Sequence, residues 1–76
     1  MEAKKGSIAK SVSGHDKGYF FVILDLDGKY AYIADGKIRK LEKPKRKSLK
    51  HLSLTGSVTE IDNLTNKKLR NVLLGF

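Results

Sequence analysis

Turn-forming residues divide the first 56 residues of this chain into short runs, which restricts the fold to elements of a few residues each. Glycine, aspartate and proline mark the turns, because glycine adopts positive φ without strain and aspartate hydrogen-bonds to nearby backbone. The runs between the turns predict five short strands, and strands at such close spacing are typical of a small antiparallel barrel. The turn sites are residues 14–18, Asp27-Gly28, Asp35-Gly36, Pro44 and Gly56.

The strongest predicted strand covers residues 19–24, which are rich in aromatic and β-branched side chains and are bounded by turns. The Asp27-Gly28 pair between this run and residues 30–34 predicts a hairpin with positive φ at the central turn positions. In the fourth predicted strand, Ile38 would point inward between two outward cations, and the proline after it would stop the pairing. The other three strands are placed at residues 8–13, 37–41 and 49–54.

The apolar period changes to that of a helix in residues 64–75, which predicts a short C-terminal helix. Leu69, Val72 and Leu73 fall on one face of that helix. A helix of about ten residues is marginal alone in water, so this face is expected to dock on the barrel or on a partner. The chain thus divides into a barrel at residues 1–56 and a helical extension at residues 57–76. The predicted end signals are an N-cap at Thr65, a hydrophobic staple between Leu64 and Leu69, and a stop at Gly75.

Composition and motifs argue against several classes of function. The chain has 76 residues, enough for one small domain, and no cysteine for disulfides or thiolate metal sites. Its two histidines, His15 and His51, are a thin supply of metal ligands, and the sequence contains no phosphate-cradling or dinucleotide motif. Ser13, His15 and Asp16 include the residue types of a catalytic triad, but triad members normally converge from separated positions. We therefore expect no enzymatic activity, no metal and no cofactor.

The sequence also carries no membrane or export signal that we recognise. No apolar run approaches the roughly 20 residues that a membrane-spanning helix needs. The charged N-terminus is not followed by the apolar core of a signal peptide. A cytoplasmic protein is therefore expected, with no membrane partner, and the free protein is expected to be a monomer.

The positive charge of the chain is concentrated in one stretch, residues 37–50, which we call the basic segment. The whole chain has 16 basic and 8 acidic residues, and the basic segment alone contains eight basic residues and one acidic residue. The electric field of such concentrated positive charge attracts polyanions, of which nucleic acid is the commonest inside a cell. The alternative is a lysine-decorated strand edge that resists aggregation. We favour polyanion binding, because edge protection rarely needs three consecutive cations such as Lys45, Arg46 and Lys47.

Two stretches of the sequence together resemble a known family. Residues 8–23 place a glycine-containing loop between two predicted strands and end in a hydrophobic-Val pair, a pattern similar to a KOW motif. The continuation through residues 34–36, the basic segment with its proline, and residues 49–52 is similar to small bacterial KOW-domain RNA-binding proteins. Those proteins resemble the KOW-type large-subunit ribosomal proteins of archaea and eukaryotes. The resemblance covers residues 6 to about 54, and it implies an SH3-like barrel that binds structured RNA, often ribosomal RNA.

The resemblance implies that RNA is contacted by the loop at residues 13–18 and by the basic segment. Many KOW loops carry more than one basic residue, whereas this one has only Lys17 beside His15 and Asp16. We therefore expect the basic segment to supply most of the affinity, through phosphate contacts that orient the RNA without reading its sequence. The expected partners are RNA, foremost ribosomal RNA, and ribosomal proteins. The predicted RNA-binding residues are Ser13, Gly14, His15, Lys17, Gly18, Lys37, Arg39, Lys40, Lys43, Lys45, Arg46, Lys47, Lys50 and His51.

Aromatic side chains are a further candidate for RNA contact. Tyr19, Tyr30 and Tyr32 are amphipathic rings of the kind that stack on unpaired bases. Tyr30 and Tyr32 lie two apart on one predicted strand and so face the same side, which is either core or an aromatic platform. We expect at least one tyrosine to pack in the core, as one of Phe20 and Phe21 must.

Two other functions fit the same sequence. An SH3-like adaptor would dock on a translation or transcription factor through the barrel groove or the terminal helix, with an affinity little altered by salt. A basic patch also permits attachment to anionic lipid. The basic segment lacks bulky apolar residues on a coherent amphipathic face, so this third function ranks last.

Overall fold

The computed structural model describes residues 2–76 and has five strands, one 3-10 helix and one α-helix. This arrangement confirms the mainly β class with a short C-terminal helix. Among the residues described, no helix combines the length and apolarity that crossing a membrane requires. The elements are β1 (Ser7–Ser11), β2 (Phe20–Asp27), β3 (Tyr30–Ala34), β4 (Lys45–Ser48), the 3-10 helix (Leu49–His51), β5 (Leu52–Val58) and α1 (Asn66–Leu73).

All five strands belong to one antiparallel sheet in the order β4-β3-β2-β1-β5. Its two edge strands, β4 and β5, are consecutive in the chain and are joined by the 3-10 helix of three residues. In a flat sheet of five strands these edges would lie about 19 Å apart, farther than one 3-10 turn reaches. The sheet is therefore curled. Within residues 2–76 the ladders join four strand pairs and do not join β4 to β5, so full closure into a barrel stays a prediction.

The predicted hairpin forms between β2 and β3, with its turn one residue later than expected. Asp27 pairs with Tyr30, so the two central turn residues are Gly28 and Lys29. Gly28 has a φ of 59°, whereas Lys29 lies outside the positive-φ region. A glycine at the first central position alone is the requirement of a type II′ turn. The expectation of positive φ at both central positions is thus wrong, because Asp27 belongs to the strand.

The prediction of a strand at residues 37–41 is wrong, because a loop occupies this stretch. The carboxylate of Asp35 accepts hydrogen bonds from the backbone N–H groups of Lys37 at 2.9 Å and Arg39 at 2.8 Å. Such side-chain bonds satisfy backbone donors that a strand would otherwise use in its ladder. Ile38 consequently lies outside the sheet and is 73% exposed instead of pointing inward. The fourth strand begins directly after Pro44, where a missing N–H removes no ladder bond.

The sheet is apolar on both faces, and each face has its own core. One cluster is built from Ala9, Phe21, Ile23, Ala31 and Ile33, with side chains of the 3-10 helix and β5 packed against it. The other face buries a second cluster, in which α1 covers the sheet. Strand β2 contributes to both clusters, which explains why residues 20–24 are apolar without interruption. The second cluster consists of Ile8, Val22, Ala34 and Leu69.

Helix α1 confirms the predicted cap and the predicted buried face. The hydroxyl of Thr65 accepts a hydrogen bond from the backbone N–H of Lys68 at 3.1 Å. Leu69 is fully buried, and Val72 and Leu73 pack beside it on the second cluster. The helix ends at Leu73, as expected from the glycine two residues later, although that glycine does not adopt a left-handed conformation.

The loop that replaces the predicted fourth strand is fixed by α1. The guanidinium of Arg70 donates to the carbonyl oxygen of Gly36 at 2.7 Å, and the side-chain oxygen of Asn66 accepts from the N–H of Leu41 at 2.9 Å. Gly36 has a φ of 76°, and a Cβ at this position would collide with the carbonyl of Asn66. The helix therefore holds the first part of the basic segment in place on the sheet.

Candidate nucleic-acid interface

The β1–β2 loop is closed at its base by backbone hydrogen bonds. The N–H of Ser11 donates to the carbonyl of Tyr19 at 2.9 Å, and the N–H of Gly18 donates to the carbonyl of Ser11 at 2.8 Å. Gly14 and Gly18 have φ values of 88° and 93°, as the glycine spacing predicts. A Cβ at Gly18 would meet nothing within 4 Å, so conformation alone requires glycine there.

Asp16 fixes this loop to the edge strand β4. Its carboxylate accepts hydrogen bonds from the hydroxyl of Ser11 at 2.6 Å, from Lys47 Nζ at 2.7 Å and from Lys45 Nζ at 3.1 Å. Lys47 Nζ also donates to the carbonyl of Ser13 at 2.7 Å. We call Ser11, Asp16, Lys45 and Lys47 the Asp16 ion cluster. The cluster joins β4 to β1 although β3 and β2 lie between them in the sheet, which the curling of the sheet makes possible.

The charges of the cluster determine the ionisation of its carboxyl group. Burial alone would raise the pKa of Asp16, but hydrogen bonds from Lys47, Ser11 and Lys45, together with the charge of Lys47, outweigh it. They hold the pKa of Asp16 well below its usual range, so the carboxylate is ionised throughout the physiological range. One carboxylate thus faces two ammonium groups, and the cluster keeps a single excess positive charge.

Six of the eight cations in the basic segment are exposed and make no ion pair within residues 2–76. Only Lys45 and Lys47 are paired, both with Asp16. Lys47 is 7% exposed, so its predicted contact with phosphate does not suit its place in the structure. Strand alternation explains the difference, because Lys45 and Lys47 point to one face of β4 and Arg46 to the other. The six exposed cations are Lys37, Arg39, Lys40, Lys43, Arg46 and Lys50.

Two neighbouring clefts bring the β1–β2 loop together with part of the basic segment. The smaller cleft, of about 210 Å³, is lined by His15, Arg39 and Lys45 among others. The larger, of about 830 Å³, lies between Gly18, the loop after β3 and the end of α1. Tyr19 and Asp35 border both clefts. The predicted site residues that line the larger cleft are Gly18, Lys37 and Lys40.

The remaining predicted residues do not line these clefts. The exposed side chain of Arg46 stacks on the ring of Tyr30, with its Cζ atom 3.8 Å from the ring centroid. Lys43 is exposed in the turn before β4, and Lys50 is exposed in the 3-10 helix. The carbonyl of His51 accepts from the N–H of Val12 at 2.9 Å, so His51 lies at the base of the β1–β2 loop.

The tyrosines only partly follow the predictions. Tyr32 and Arg46 are directly opposite in the β3–β4 ladder, so Tyr30, Tyr32 and Arg46 share one face of the sheet. The expectation of a tyrosine in the core is wrong, because Ala31 and Ile33 are the residues of β3 that fill the first cluster. Tyr32 is half-buried, whereas Tyr19 is 59% exposed and Tyr30 is 39% exposed. Phe21, in contrast, is a core residue as predicted for one of the two phenylalanines.

Asp16 is the site residue that sequence reasoning did not assign. Its position in a glycine-rich turn indicates only a local role, since aspartate is common in turns. Its lysine partners lie 29 and 31 residues further along the chain, and their side-chain direction depends on where β4 begins. One local signal was available, because Asp16 is the only carboxylate among residues 12–19, the loop between β1 and β2.

Comparison with known proteins adds no relative to this description. A scan against protein-family models finds no match for the chain, and a search of curated proteins finds no significant similarity.

Proposed function

We propose that this protein binds RNA, in the manner of small KOW-domain proteins of the ribosome, through its basic segment and its β1–β2 loop. The observation that carries the proposal is a set of six exposed cations, in a stretch of 14 residues, that make no ion pair within residues 2–76. A cation that stabilises the fold through an ion pair lies beside a carboxylate, whereas these six have no such partner within residues 2–76. A phosphate backbone is the polyanion that such a surface recognises best.

The two parts of the site would have different tasks. The exposed cations contact phosphates, which supplies affinity and leaves the base sequence unread. The β1–β2 loop has a fixed shape because the Asp16 ion cluster anchors it, and a fixed loop with exposed Gly14 and Lys17 gives the bound strand an orientation. Lys45 and Lys47 then act by positioning this loop, and their direct share of the phosphate contacts is small.

Association with ribosomal RNA is supported by the resemblance of residues 8–23 and 34–52 to KOW-domain proteins. The single five-stranded antiparallel sheet is compatible with the small β domain that this resemblance implies. Ribosomal proteins are further partners in this proposal. Sequencing of the RNA that crosslinks to the protein in cells tests this part, and recovery of one ribosomal RNA region is the expected result.

The salt dependence of RNA binding tests the phosphate contacts. The variant carries Lys37→Ala, Arg39→Ala and Lys40→Ala, three exposed positions whose side chains make no ion pair within residues 2–76. The slope of log K against log salt is negative, and each lost phosphate contact reduces its magnitude by about 0.7–0.9. The magnitude of the slope should therefore decrease by roughly 2–3 in this variant. A matched variant with Lys4→Ala, Lys29→Ala and Lys68→Ala removes the same charge outside the basic segment. Equal slopes for the two variants would contradict the proposal.

A protein-interaction adaptor is the second candidate, and one observation favours it. Leu74, at the end of α1, is 81% exposed on the rim of the larger cleft, and Phe20 and Phe76 also line that cleft. The ring centroids of these two phenylalanines are 5.7 Å apart. An apolar docking surface would give a binding constant that changes little with salt, which separates this candidate from RNA binding.

A further inference from the structure

Tyr19 presents an exposed aromatic ring from a fixed stretch of backbone. Its N–H donates to the carbonyl of Asp16 at 3.0 Å, and its own carbonyl accepts from Ser11 at 2.9 Å. Both partners belong to the Asp16 ion cluster. The backbone that carries the ring is therefore hydrogen-bonded to residues that the cluster holds in place. The ring itself is 59% exposed and borders both clefts.

The smaller cleft beside Tyr19 has apolar walls and a basic rim. Tyr19 and Ile38 are its exposed apolar residues, and the buried Phe21 also lines it. Arg39 and Lys45 supply positive charge at the same cleft. Its volume of about 210 Å³ is below the roughly 300–1,000 Å³ of sites for drug-sized ligands, and suits a single planar ring system.

The two carboxylates at this cleft already have partners. Asp16 is bound by two lysines, and the carboxylate of Asp35 accepts from the N–H groups of Lys37 and Arg39. The charge of Asp16 is therefore compensated by two lysines, whereas the N–H partners of Asp35 are neutral and leave its negative charge in place. Arg39 and Ile38 both line this cleft, so a cation that can pair with a phosphate accompanies the exposed apolar side chain.

We propose that an unpaired base of the bound RNA stacks on Tyr19 and lies against Ile38 in the smaller cleft. This inference depends on the proposed RNA-binding function and specifies the form of RNA that is bound. The base provides the flat apolar surface that covers both exposed side chains, and its phosphate lies near Arg39. Stacking of this kind tolerates any base, because every base has a π-face. A single-stranded or bulged segment is then preferred over a continuous duplex, whose bases are not free to enter.

The other tyrosines are less suited to this role. One face of the Tyr30 ring is covered by the guanidinium of Arg46 at 3.8 Å, and Tyr32 is half-buried on the same face of the sheet. Neither lines the two clefts beside the β1–β2 loop. Tyr30 is therefore a matched control, since it is a tyrosine exposed on the surface away from the proposed base site.

The test compares Tyr19→Leu with Tyr30→Leu in binding to a single-stranded ribo-oligonucleotide of about ten nucleotides and to the same strand in a duplex. Tyr19→Leu should weaken single-strand binding by about tenfold, within the range of one lost base–aromatic stack. It should leave the salt slope unchanged, because no phosphate contact is removed. Tyr30→Leu should bind as the parent does, and thermal unfolding verifies that both variants are folded.

A second measurement keeps the proposal testable if Tyr19→Leu fails to fold. The chain has no tryptophan and three tyrosines, so a variant with Tyr30→Phe and Tyr32→Phe has Tyr19 as its only tyrosine. Stacking of a base should quench the fluorescence of this protein on addition of the single strand. If the parent binds RNA with a steep salt dependence but Tyr19→Leu binds equally well and Tyr19 fluorescence is unchanged, the base site is refuted and RNA binding stands. If the parent binds neither single strand nor duplex at any salt concentration, the proposed function itself is refuted.

Discussion

Lys47 Nζ lies 2.7 Å from Asp16 Oδ1, which joins an edge strand to a loop 31 residues earlier in the chain. Both side chains are largely removed from solvent, at 8% and 13% exposure. The pair therefore differs from the solvent-exposed cations around it, and it makes the shape of the β1–β2 loop depend on the position of β4.

Replacing Lys47 by methionine should lower the free energy of unfolding by about 2–4 kcal/mol. The change leaves the partly buried carboxylate of Asp16 without its closest cation, and loss of one partner of a buried pair is strongly destabilising. Lys45 remains as a second cation beside Asp16. The expected loss is therefore smaller than the largest losses measured when a buried ion pair loses one partner. Urea unfolding measures the effect, and Arg46→Met on the exposed face is the control, with an expected change below about 1 kcal/mol. Equal losses in the two variants would show that the pair contributes nothing.

The same pair revises an expectation about the consecutive cations Lys45, Arg46 and Lys47. Their charge pattern alone suggests that replacing all three by alanine weakens RNA binding without unfolding the protein. In the structure, two of the three neutralise Asp16, so this triple variant should be destabilised as well. Variants at residues 37–40 separate binding from folding more cleanly.

Acid should remove the stability that Asp16 contributes. Its pKa in the folded protein is depressed by the hydrogen bonds and charge of the lysines, so the ionised carboxylate stabilises the fold at pH values above the unfolded pKa of about 4. This contribution is lost as the pH falls from about 4 toward the lower pKa of the folded state. Asp16→Asn should be less stable than the parent at pH 7, and the difference between them should shrink below about pH 4. Urea midpoints measured from pH 2 to pH 7 give the comparison, and a difference that does not change with pH would contradict the assignment.

Leu69→Ala should destabilise the protein by about 2–5 kcal/mol, since it removes a fully buried side chain from the second cluster. Leu74→Ala is the matched control at the C-cap of the same helix, because Leu74 is 81% exposed. Its expected effect is within about 0.5 kcal/mol. Thermal unfolding followed by circular dichroism measures both. Similar effects at the two positions would mean that α1 does not pack on the sheet as described.

Gly36→Ala should be more destabilising than Gly18→Ala, although both glycines have positive φ. Both substitutions cost about 1–2 kcal/mol through the left-handed backbone. At Gly36 the new Cβ also collides with the carbonyl of Asn66, whereas at Gly18 it meets open space. The difference in urea midpoint between the two variants therefore measures how closely α1 approaches the loop after β3. If the two variants are equally stable, that close approach is not rigid.

Turn residues and local periods were sufficient to predict much of the fold. The apolar run after Gly18, the hairpin before Tyr30 and the helix capped by Thr65 all follow from interactions within a few residues. Such local signals are strong because glycine, aspartate and threonine each have a specific backbone preference at these positions.

The position of β4 could not be predicted in the same way. Residues 37–39 alternate charged and apolar side chains as a strand does, but the Asp35 carboxylate holds their backbone in a loop. The strand then begins four residues beyond the predicted end, which changes the direction in which each lysine points. The role of Asp16 depends on that direction, so this part of the site required the folded structure.

The 3-10 helix between β4 and β5 has a consequence for the dynamics of the sheet. Its three residues connect the two outermost strands, so neither edge can move far without displacing the other. The amide protons of Lys45–Ser48 and Leu52–Val58 should accordingly exchange with solvent in a single cooperative opening, in place of the independent fraying that is usual at the margins of an open sheet.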